Sequence, residues 1–209
     1  MRQCHGFVVW SSVESGVDHL HAGQIQGFFD GPVDHLMALP ILAEYVKEKY
    51  GDQNLAVVSP DAGRIKVAER WSARLGGAPL AFIHKSRRTD RPNEVVANRV
   101  VGDVKGRICV LVDDMIDTAG TIVAATEALM EDGAAGGVIA ATHPILSGPA
   151  VERLKACPAQ EIVVTNTLPL ADDQMFDKLT VLSIAPLLSQ AIREVFEDGS
   201  VTKMFDGQA

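Results

Sequence analysis

VLVDDMIDTAGTI, at residues 110–122, changes abruptly from apolar to acidic side chains. The run at 110–112 is apolar without alternation, which is typical of a strand buried on both faces of a parallel sheet. Asp113 and Asp114 follow it directly. A third acid, Asp117, comes three positions later and is followed by the small residues at 118–121. Because ligands of parallel α/β sheets bind at the carboxyl ends of the strands, this stretch predicts both the fold and the position of a site.

Strand and helix patterns alternate on both sides of this stretch. Uninterrupted apolar runs predict strands at 55–59, 80–84, 108–112, 138–142 and 161–165. Segments of helical period predict helices at 33–50, 63–75, 120–132, 148–156 and 187–196. This β-α-β order predicts an α/β fold with a doubly wound parallel sheet.

One segment departs from the alternation. Residues 95–101 are rich in β-branched side chains, and residues 103–106 then turn the chain into the strand at 108–112. This pattern predicts a hairpin arm in which 95–101 runs antiparallel to 108–112. The polar, basic segment at 85–93 is predicted to be a mobile loop.

The composition narrows the class of partner and the compartment. The net charge of −8 argues against nucleic acid or an anionic membrane as the main partner. Cys4, Cys109 and Cys157 have neither metal-ligand spacing nor the pattern of a disulfide framework, so a reducing cytoplasm is expected. No apolar run approaches a transmembrane span, and the weakly apolar residues 1–12 are too short and poorly flanked for a secretory signal.

The segment after the acids has the features of an anion site. Gly120, at a strand-to-helix turn, lets backbone N–H groups face an anion, and the dipole of the following helix favours negative charge. Thr118 and Thr121 add hydroxyl donors. An ordinary N-capped turn, with Asp117 or Thr118 as the cap, is the alternative.

The acid pair favours the anion site over the ordinary turn. No structural need places two like charges, Asp113 and Asp114, past a strand end. Vicinal hydroxyls of a sugar, or a Mg²⁺ ion that bridges sugar and phosphate, would satisfy both carboxylates. The two halves of the stretch together predict a sugar-phosphate ligand.

The stretch at 110–122 resembles the phosphoribosyl-diphosphate loop that type I phosphoribosyltransferases share with ribose-phosphate diphosphokinases. Other segments separate the two groups, because in this order they resemble the diphosphokinases alone. These segments lie at 21–35, 59–63, 84–87, 102–106 and 141–150. The resemblance runs from about residue 17 to residue 205. The chain is therefore similar to ribose-phosphate diphosphokinases, with most of the usual N-terminal domain missing.

The resemblance implies an activity and its partners. Ribose-phosphate diphosphokinases use Mg²⁺ and transfer the diphosphoryl group of ATP to the 1-hydroxyl of ribose 5-phosphate, which gives phosphoribosyl diphosphate and AMP for nucleotide biosynthesis. A cytoplasmic homo-oligomer is implied, with ATP and ribose 5-phosphate as partners and without nucleic acid or membrane. A truncated, non-catalytic form that binds ribose 5-phosphate or partner chains stays open, and a type I phosphoribosyltransferase is less favoured.

The resemblance also implies roles for individual residues. Lys85 and Arg87, in a Lys-x-Arg motif, would be the catalytic cations. His21 and Asp61 would belong to a metal site, and His21 and His143 would approach the nucleotide. The sugar phosphate would be bound by Arg87, Asp113, Asp114, Asp117, Thr118, Ala119, Gly120 and Thr121.

The resemblance divides the chain into three parts. Residues 1–50 are expected to be a remnant of a first similar domain, with 1–16 unassigned, and residues 51–186 to form the phosphoribosyltransferase-like domain. Residues 187–209 would be a C-terminal helix and tail. The helix at 187–196 is expected to have an uncovered apolar stripe unless residues 1–50 or another subunit cover it.

Overall fold

The structure is a computed structural model that describes residue 34 and residues 36–87 and 95–205. It contains two compact units: Leu39–Ile184 form the larger one, and the smaller one combines the described residues before Leu39 with those from Ala185 onwards. In these described parts, no helix is long and apolar enough to cross a membrane. The domain boundaries at residues 50 and 186 stay a prediction.

The larger unit is built on a seven-stranded sheet with the order β3-β2-β1-β4-β5-β6-β7. The strands are β1 (Leu55–Ser59), β2 (Leu80–Arg87), β3 (Val95–Val101), β4 (Ile108–Ile116), β5 (Gly136–Pro144), β6 (Glu161–Thr165) and β7 (Leu179–Leu182). The helices of this unit are α1 (Leu39–Tyr50), α2 (Ile65–Arg74), α3 (Gly120–Glu131) and α4 (Ala150–Ala156). Neighbouring strands are parallel except for β2 and β3. The predicted α/β fold is confirmed.

β4 is a central strand, because β1 pairs with one of its edges and β5 with the other. Its residues 108–112 are all buried, and β1 is buried along its whole length. A strand that is covered on both faces has no side for polar residues, so its apolar run does not alternate. All five predicted strands are present, and β2, β4 and β5 run longer than predicted.

The predicted pairing of residues 95–101 with 108–112 is wrong. β3 runs antiparallel to β2 instead, with Val101 opposite Phe82. β4 has no edge left for it, because β1 and β5 occupy both. The strand β7 was not predicted, because it has only four residues and most of them are half-buried, so it lacks a long apolar run.

The first helix of the larger unit and the helix of the smaller unit were both predicted from the sequence. α1 begins at Leu39 rather than at residue 33, since residues 34 and 36–38 are not helical, and Pro40 suits a first helical turn. In the smaller unit, α5 (Ala185–Phe196) matches its prediction, and a 3-10 helix follows at Val201–Phe205. The expected apolar stripe on α5 stays a prediction, because residues 1–33 lie outside the described part of the chain.

The connection from β3 to β4 passes two glycines that have positive φ. Gly102 has φ +125° and Gly106 has φ +67°, which L side chains rarely adopt. A Cβ at Gly102 would lie 2.7 Å from the Ala81 Cβ and 2.7 Å from the Leu80 carbonyl oxygen, whereas a Cβ at Gly106 would meet nothing within 4 Å. Close approach to β2 therefore restricts Gly102, and conformation alone restricts Gly106.

A buried carboxylate attaches α1 to the sheet at the edge where β6 begins. Glu161 is 5% exposed, and its oxygens accept four hydrogen bonds. The donors are Tyr45 Oη at 2.7 Å, Lys49 Nζ at 2.9 Å, Tyr50 Oη at 2.6 Å and Thr180 Oγ1 at 2.6 Å. Burial by itself would raise the pKa of Glu161, but these hydrogen bonds, with that of Thr180 first, lower it to about 2. One ionised group therefore links α1, β6 and β7.

Gly102→Ala is expected to lower the free energy of unfolding by about 3 kcal/mol, since it adds a steric clash to the conformational cost. Gly106→Ala is the matched control and should lose only about 1 kcal/mol. Urea denaturation of the two variants measures the difference. Equal losses would show that Gly102 does not approach β2 this closely in solution.

The stabilising effect of Glu161 is expected to disappear in acid. The pKa of this carboxyl rises from about 2 in the folded chain to its ordinary 4.5 on unfolding, so its contribution is complete above pH 4.5 and is lost as the pH falls toward 2. Glu161→Gln should lower the free energy of unfolding by about 3 kcal/mol at pH 7 and by clearly less at pH 3. Urea denaturation at both pH values tests this, with Thr180→Val as the control that removes one donor. A loss that does not change with pH would contradict it.

Candidate functional site

Three neighbouring strands bring predicted site residues to one edge of the sheet. β1, β4 and β5 are parallel, so the end of β1 at Ser59 and the carboxyl-terminal parts of β4, from Asp113, and of β5, at His143, lie along the same side. Along β4, Val112 is fully buried, whereas the side chains of Asp113 and Asp114 are each 19% exposed. The fully buried part of β4 therefore ends at Val112, but the strand itself continues to Ile116, so the two acids lie within β4 and not past its end as predicted.

A guanidinium group holds the two acids. Arg64 Nη2 donates to Asp114 Oδ2 at 2.7 Å, and Arg64 Nε lies 3.9 Å from Asp113 Oδ1. The backbone N–H of Asp114 donates to Asp113 Oδ1 at 2.9 Å, which orients the first carboxylate. The pair therefore has a defined geometry, and the positive charge of Arg64 offsets part of its negative charge.

The Asp113 carboxyl resists ionisation. Burial, followed by the side-chain hydrogen bond with Asp114 and the charge of Asp114, raises the pKa of Asp113 to about 7, although the backbone N–H of Asp114 and the charge of Arg64 oppose the shift. A cation or a hydroxyl donor beside Asp113 would stabilise its charged form. The acid pair is therefore suited to a ligand that supplies such groups.

The turn after the acids has a left-handed residue at Ala119. Ala119 has φ +61° and ψ 0°, and it is the N-cap of α3 without a side-chain hydrogen bond to the helix. The alternative of an ordinary turn capped by Asp117 or Thr118 is therefore not observed. The first N–H groups of a helix that no side chain caps, together with the helix dipole, form a place for an anion.

Two side chains near α4 support this turn. Ser147 Oγ donates to Asp117 Oδ1, and the Ser147 backbone N–H donates to the Asp117 carbonyl oxygen at 3.1 Å. Arg153 Nη1 donates to the Thr118 carbonyl oxygen at 2.9 Å, and a Cβ at Gly120 would lie 3.3 Å from the same nitrogen. Asp117 thus has a role in orienting the turn, which explains a third acid so close to the predicted anion site.

Asp61 and His143 lie at the same edge in polar surroundings. Asp61 caps the 3-10 helix Ala62–Arg64, because its Oδ1 accepts the N–H of Gly63 at 2.8 Å. His143 Nδ1 lies 2.9 Å from Thr167 Oγ1, and burial lowers the pKa of His143. The imidazole is therefore neutral at pH 7 and can accept or donate one hydrogen bond at its other nitrogen.

The oxygen atoms available at this edge are of the kind that binds Mg²⁺. Mg²⁺ prefers oxygen ligands and commonly takes one or two carboxylates along with waters and substrate phosphates. Asp61, Asp113 and Asp114 supply carboxylate oxygens. Within the ranges 36–87 and 95–205, no three His, Cys, Asp or Glu side chains are grouped closely enough to hold a metal by themselves. His21, which was predicted for the metal and the nucleotide, lies outside the described residues.

The predicted catalytic cations have their backbone on β2. Lys85 pairs with Asn98 and Arg87 pairs with Val95 across the β2–β3 hairpin. The side chains of Lys85 and Arg87 lie outside the described part of the chain, so their catalytic role stays a prediction.

Three polar residues of the site were not predicted: Arg64, Ser147 and Arg153. They contact acids or carbonyl oxygens that are 50, 30 and 35 positions away along the chain. A single sequence has no direct signal for such contacts. Arg64 had an indirect one, because a basic residue just after the end of β1 must lie at the ligand edge of a parallel sheet.

Comparison with known proteins assigns the family. A family model described as the phosphoribosyl synthetase-associated domain matches residues 91–206, more than half of the chain. The chain belongs to this family. The match covers the acid pair and the turn at Ala119, so these features lie within the family's domain.

Individual relatives agree with the phosphoribosyl synthetase family. Ribose-phosphate pyrophosphokinase of Bifidobacterium longum is 62% identical over 189 residues, which cover 90% of this chain and 56% of that protein. The enzyme of the same name from Mycobacterium tuberculosis is 60% identical over 190 residues, 91% of this chain and 58% of that protein. A crystal structure of phosphoribosylpyrophosphate synthetase from Mycobacterium smegmatis matches with a TM-score of 0.78 at 59% identity, over 86% of this chain and 57% of that chain.

These relatives confirm the resemblance to ribose-phosphate diphosphokinases that the motifs indicated. The chain spans somewhat more than half the length of the relatives it matches. The activity of a whole diphosphokinase is therefore a proposal for this chain.

Asp113→Asn is expected to stabilise the free protein near neutral pH. The pKa of Asp113 is raised from 3.8 to about 7, so the wild type loses stability as the pH rises through this range, and a neutral amide avoids the loss. We expect a gain of about 2 kcal/mol at pH 8 and little at pH 4. Urea denaturation at both pH values measures it, with Asp117→Asn as the control for charge removal. A gain of the same size at pH 4 would contradict the crowding of the acid pair.

Proposed function

We propose that the chain binds ribose 5-phosphate at the edge formed by β1, β4 and β5, and that it transfers the diphosphoryl group of ATP to the 1-hydroxyl of this sugar. The products are phosphoribosyl diphosphate and AMP. One observation carries the proposal: along a single segment, the acid pair at Asp113 and Asp114 is followed by a helix N-terminus without a side-chain cap at Ala119. A sugar phosphate presents the two complementary groups, hydroxyls and a phosphate, in one molecule.

The phosphate group would lie at the start of α3. Its oxygens would accept hydrogen bonds from the backbone of residues 117–121 and from the hydroxyls of Thr118 and Thr121, all of which are donors at the positive end of a helix. Support for the turn by Ser147 and Arg153 holds these donors in place before the ligand arrives, which reduces the entropy cost of binding.

The ribose hydroxyls would lie against Asp113 and Asp114. Vicinal hydroxyls are donors, and ionised carboxylates accept only, so the match is direct. Mg²⁺ would be held near Asp61 and this pair, together with substrate oxygens, and when bound it neutralises charge on the phosphates of ATP. ATP, Mg²⁺ and further copies of the chain are proposed partners by family.

Diphosphoryl transfer explains the need for cations on β2. The oxygen of the sugar 1-hydroxyl attacks the β-phosphorus of ATP, the bond from that phosphorus to the oxygen shared with the α-phosphorus breaks, and AMP leaves with that oxygen. The proton of the hydroxyl passes to the departing AMP phosphate or to solvent. Because negative charge builds on the transferred and departing oxygens, positive groups held beside them lower the barrier. Lys85 and Arg87 are proposed for this role.

Two other functions would use the same site. A type I phosphoribosyltransferase would bind the same sugar phosphate, but the relatives at 62% and 60% identity are named ribose-phosphate pyrophosphokinases, which favours the diphosphokinase. A form that binds ribose 5-phosphate without turnover differs from both in releasing no AMP. Binding and turnover must therefore be measured separately.

Calorimetric titration of the 209-residue chain with ribose 5-phosphate and Mg²⁺ tests the site. We expect a submillimolar dissociation constant, and we expect Asp113→Asn to weaken binding at least tenfold because a hydroxyl donor loses a charged acceptor. This variant is expected to be more stable than the wild type, so its loss cannot come from unfolding. No binding by the wild type at millimolar ligand would contradict the proposed function.

Lys85→Ala separates catalysis from binding in the same assay. It should retain ribose 5-phosphate binding within about twofold, because most residues proposed to bind the sugar phosphate lie on β4 and at the start of α3. AMP release from ATP should fall below detection. Lys66→Ala, which removes an exposed lysine from α2, is the control for loss of charge. Loss of binding in Lys85→Ala would show that the catalytic cation has been misplaced. Binding by the wild type without any AMP release would support the non-catalytic alternative.

A further inference from the structure

Arg64 lies at the start of α2, where its positive charge does not stabilise that helix. Arg64 is the N-cap of α2, with φ −104° and without a side-chain hydrogen bond to that helix. A positive charge at a helix N-terminus is unfavourable, because the dipole there is positive as well. The side chain of Arg64 forms ion pairs with Asp113 and Asp114 instead, at the ligand edge of the sheet.

The ion pair is sheltered enough to matter in binding. The side chain of Arg64 is 22% exposed and those of the two acids are 19% exposed. Charges at such depth are screened less than fully exposed ones. A cation or hydroxyl donor that is to reach Asp114 Oδ2 must therefore compete with a guanidinium nitrogen that already lies 2.7 Å away, and near Asp113 it meets the charge of the same group.

A divalent cation alone competes poorly with this guanidinium. If the metal displaces Arg64 from the acids, three positive charges stand at one edge, because the short Asp61–Arg64 segment keeps the guanidinium nearby. An anionic substrate removes this repulsion. Its phosphate charge balances the displaced guanidinium, so metal and sugar phosphate should each favour the binding of the other.

We propose that Arg64 occupies the acid pair in the free protein and is displaced from it when substrate binds, so that a divalent cation binds tightly only together with the sugar phosphate. This inference rests on the proposed function, since it assigns the cation and the sugar phosphate to the same edge. Arg64 is a positioning residue in this role. It prevents the acids from holding a metal ion in the absence of substrate.

Titration of the 209-residue chain with Mn²⁺, with free Mn²⁺ measured by electron paramagnetic resonance, tests the proposal directly. Mn²⁺ serves as the probe for Mg²⁺ and needs no turnover. In the absence of sugar phosphate, Arg64→Ala should bind Mn²⁺ roughly tenfold more tightly than the wild type. Arg64→Lys retains a positive charge and should stay within about threefold of the wild type. Lys66→Ala, the matched loss of one charge on α2, should leave the affinity unchanged.

The same titration in saturating ribose 5-phosphate measures the coupling. The wild type should bind Mn²⁺ roughly tenfold more tightly with the sugar phosphate than without it, and Arg64→Ala should show little such gain. Asp114→Asn in the Arg64→Ala background should remove the extra affinity for Mn²⁺, which places the ion at the acid pair. Circular dichroism establishes that each variant is folded, and Arg64→Gln replaces the alanine variant if it is not.

Two distinct results separate this inference from the proposed function. If Arg64→Ala and Lys66→Ala bind Mn²⁺ alone with equal affinity while ribose 5-phosphate still binds, Arg64 does not compete for the acids and the inference is wrong. If no variant binds ribose 5-phosphate, the proposed function is wrong, whatever happens to Mn²⁺.

Discussion

The pairing of β4 on both edges is the constraint on which the rest of the larger unit depends. Since β1 and β5 flank it and helices cover it, no charged side chain is tolerated between residues 108 and 112. Charge becomes possible only past Val112, and there the ends of three parallel strands meet. The same burial that stabilises the sheet thus places Asp113 and Asp114 beside the guanidinium of Arg64 and next to the neighbouring strand β5.

Carboxylates at the two ends of the sheet contrast in how well they are satisfied. Glu161 accepts four hydrogen bonds and has a lowered pKa, so the folded chain has already supplied everything that its charge requires. Asp113 has a raised pKa beside another acid, so its charge is poorly supported in the free chain. The first arrangement stabilises the fold, and the second costs stability at a place where a ligand can recover it.

Local patterns determined what was predictable from the sequence. Five strands and α3 were located because each has a continuous apolar run or a helical period, and the acids were placed at the ligand edge because they follow such a run. The predicted partner strand of β3 was wrong, because pairing depends on which strand edges are already occupied by other strands. Arg64 and Arg153 were missed because their contacts join distant parts of the chain. The left-handed conformation of Ala119 could not be predicted, because alanine rarely adopts a positive φ and nothing in the sequence marks this one as an exception.

The turn at Ala119 has a consequence for how the site comes into existence during folding. Its supports, Ser147 and Arg153, follow it by about thirty residues, and β4 itself needs β1 from far upstream. The geometry of this turn therefore does not assemble on the nascent segment but appears only when the parallel core has closed, which is a slow, non-local step. An anionic ligand that binds this turn would select the completed core from all partly folded states, and such a ligand would stabilise newly made chains against degradation.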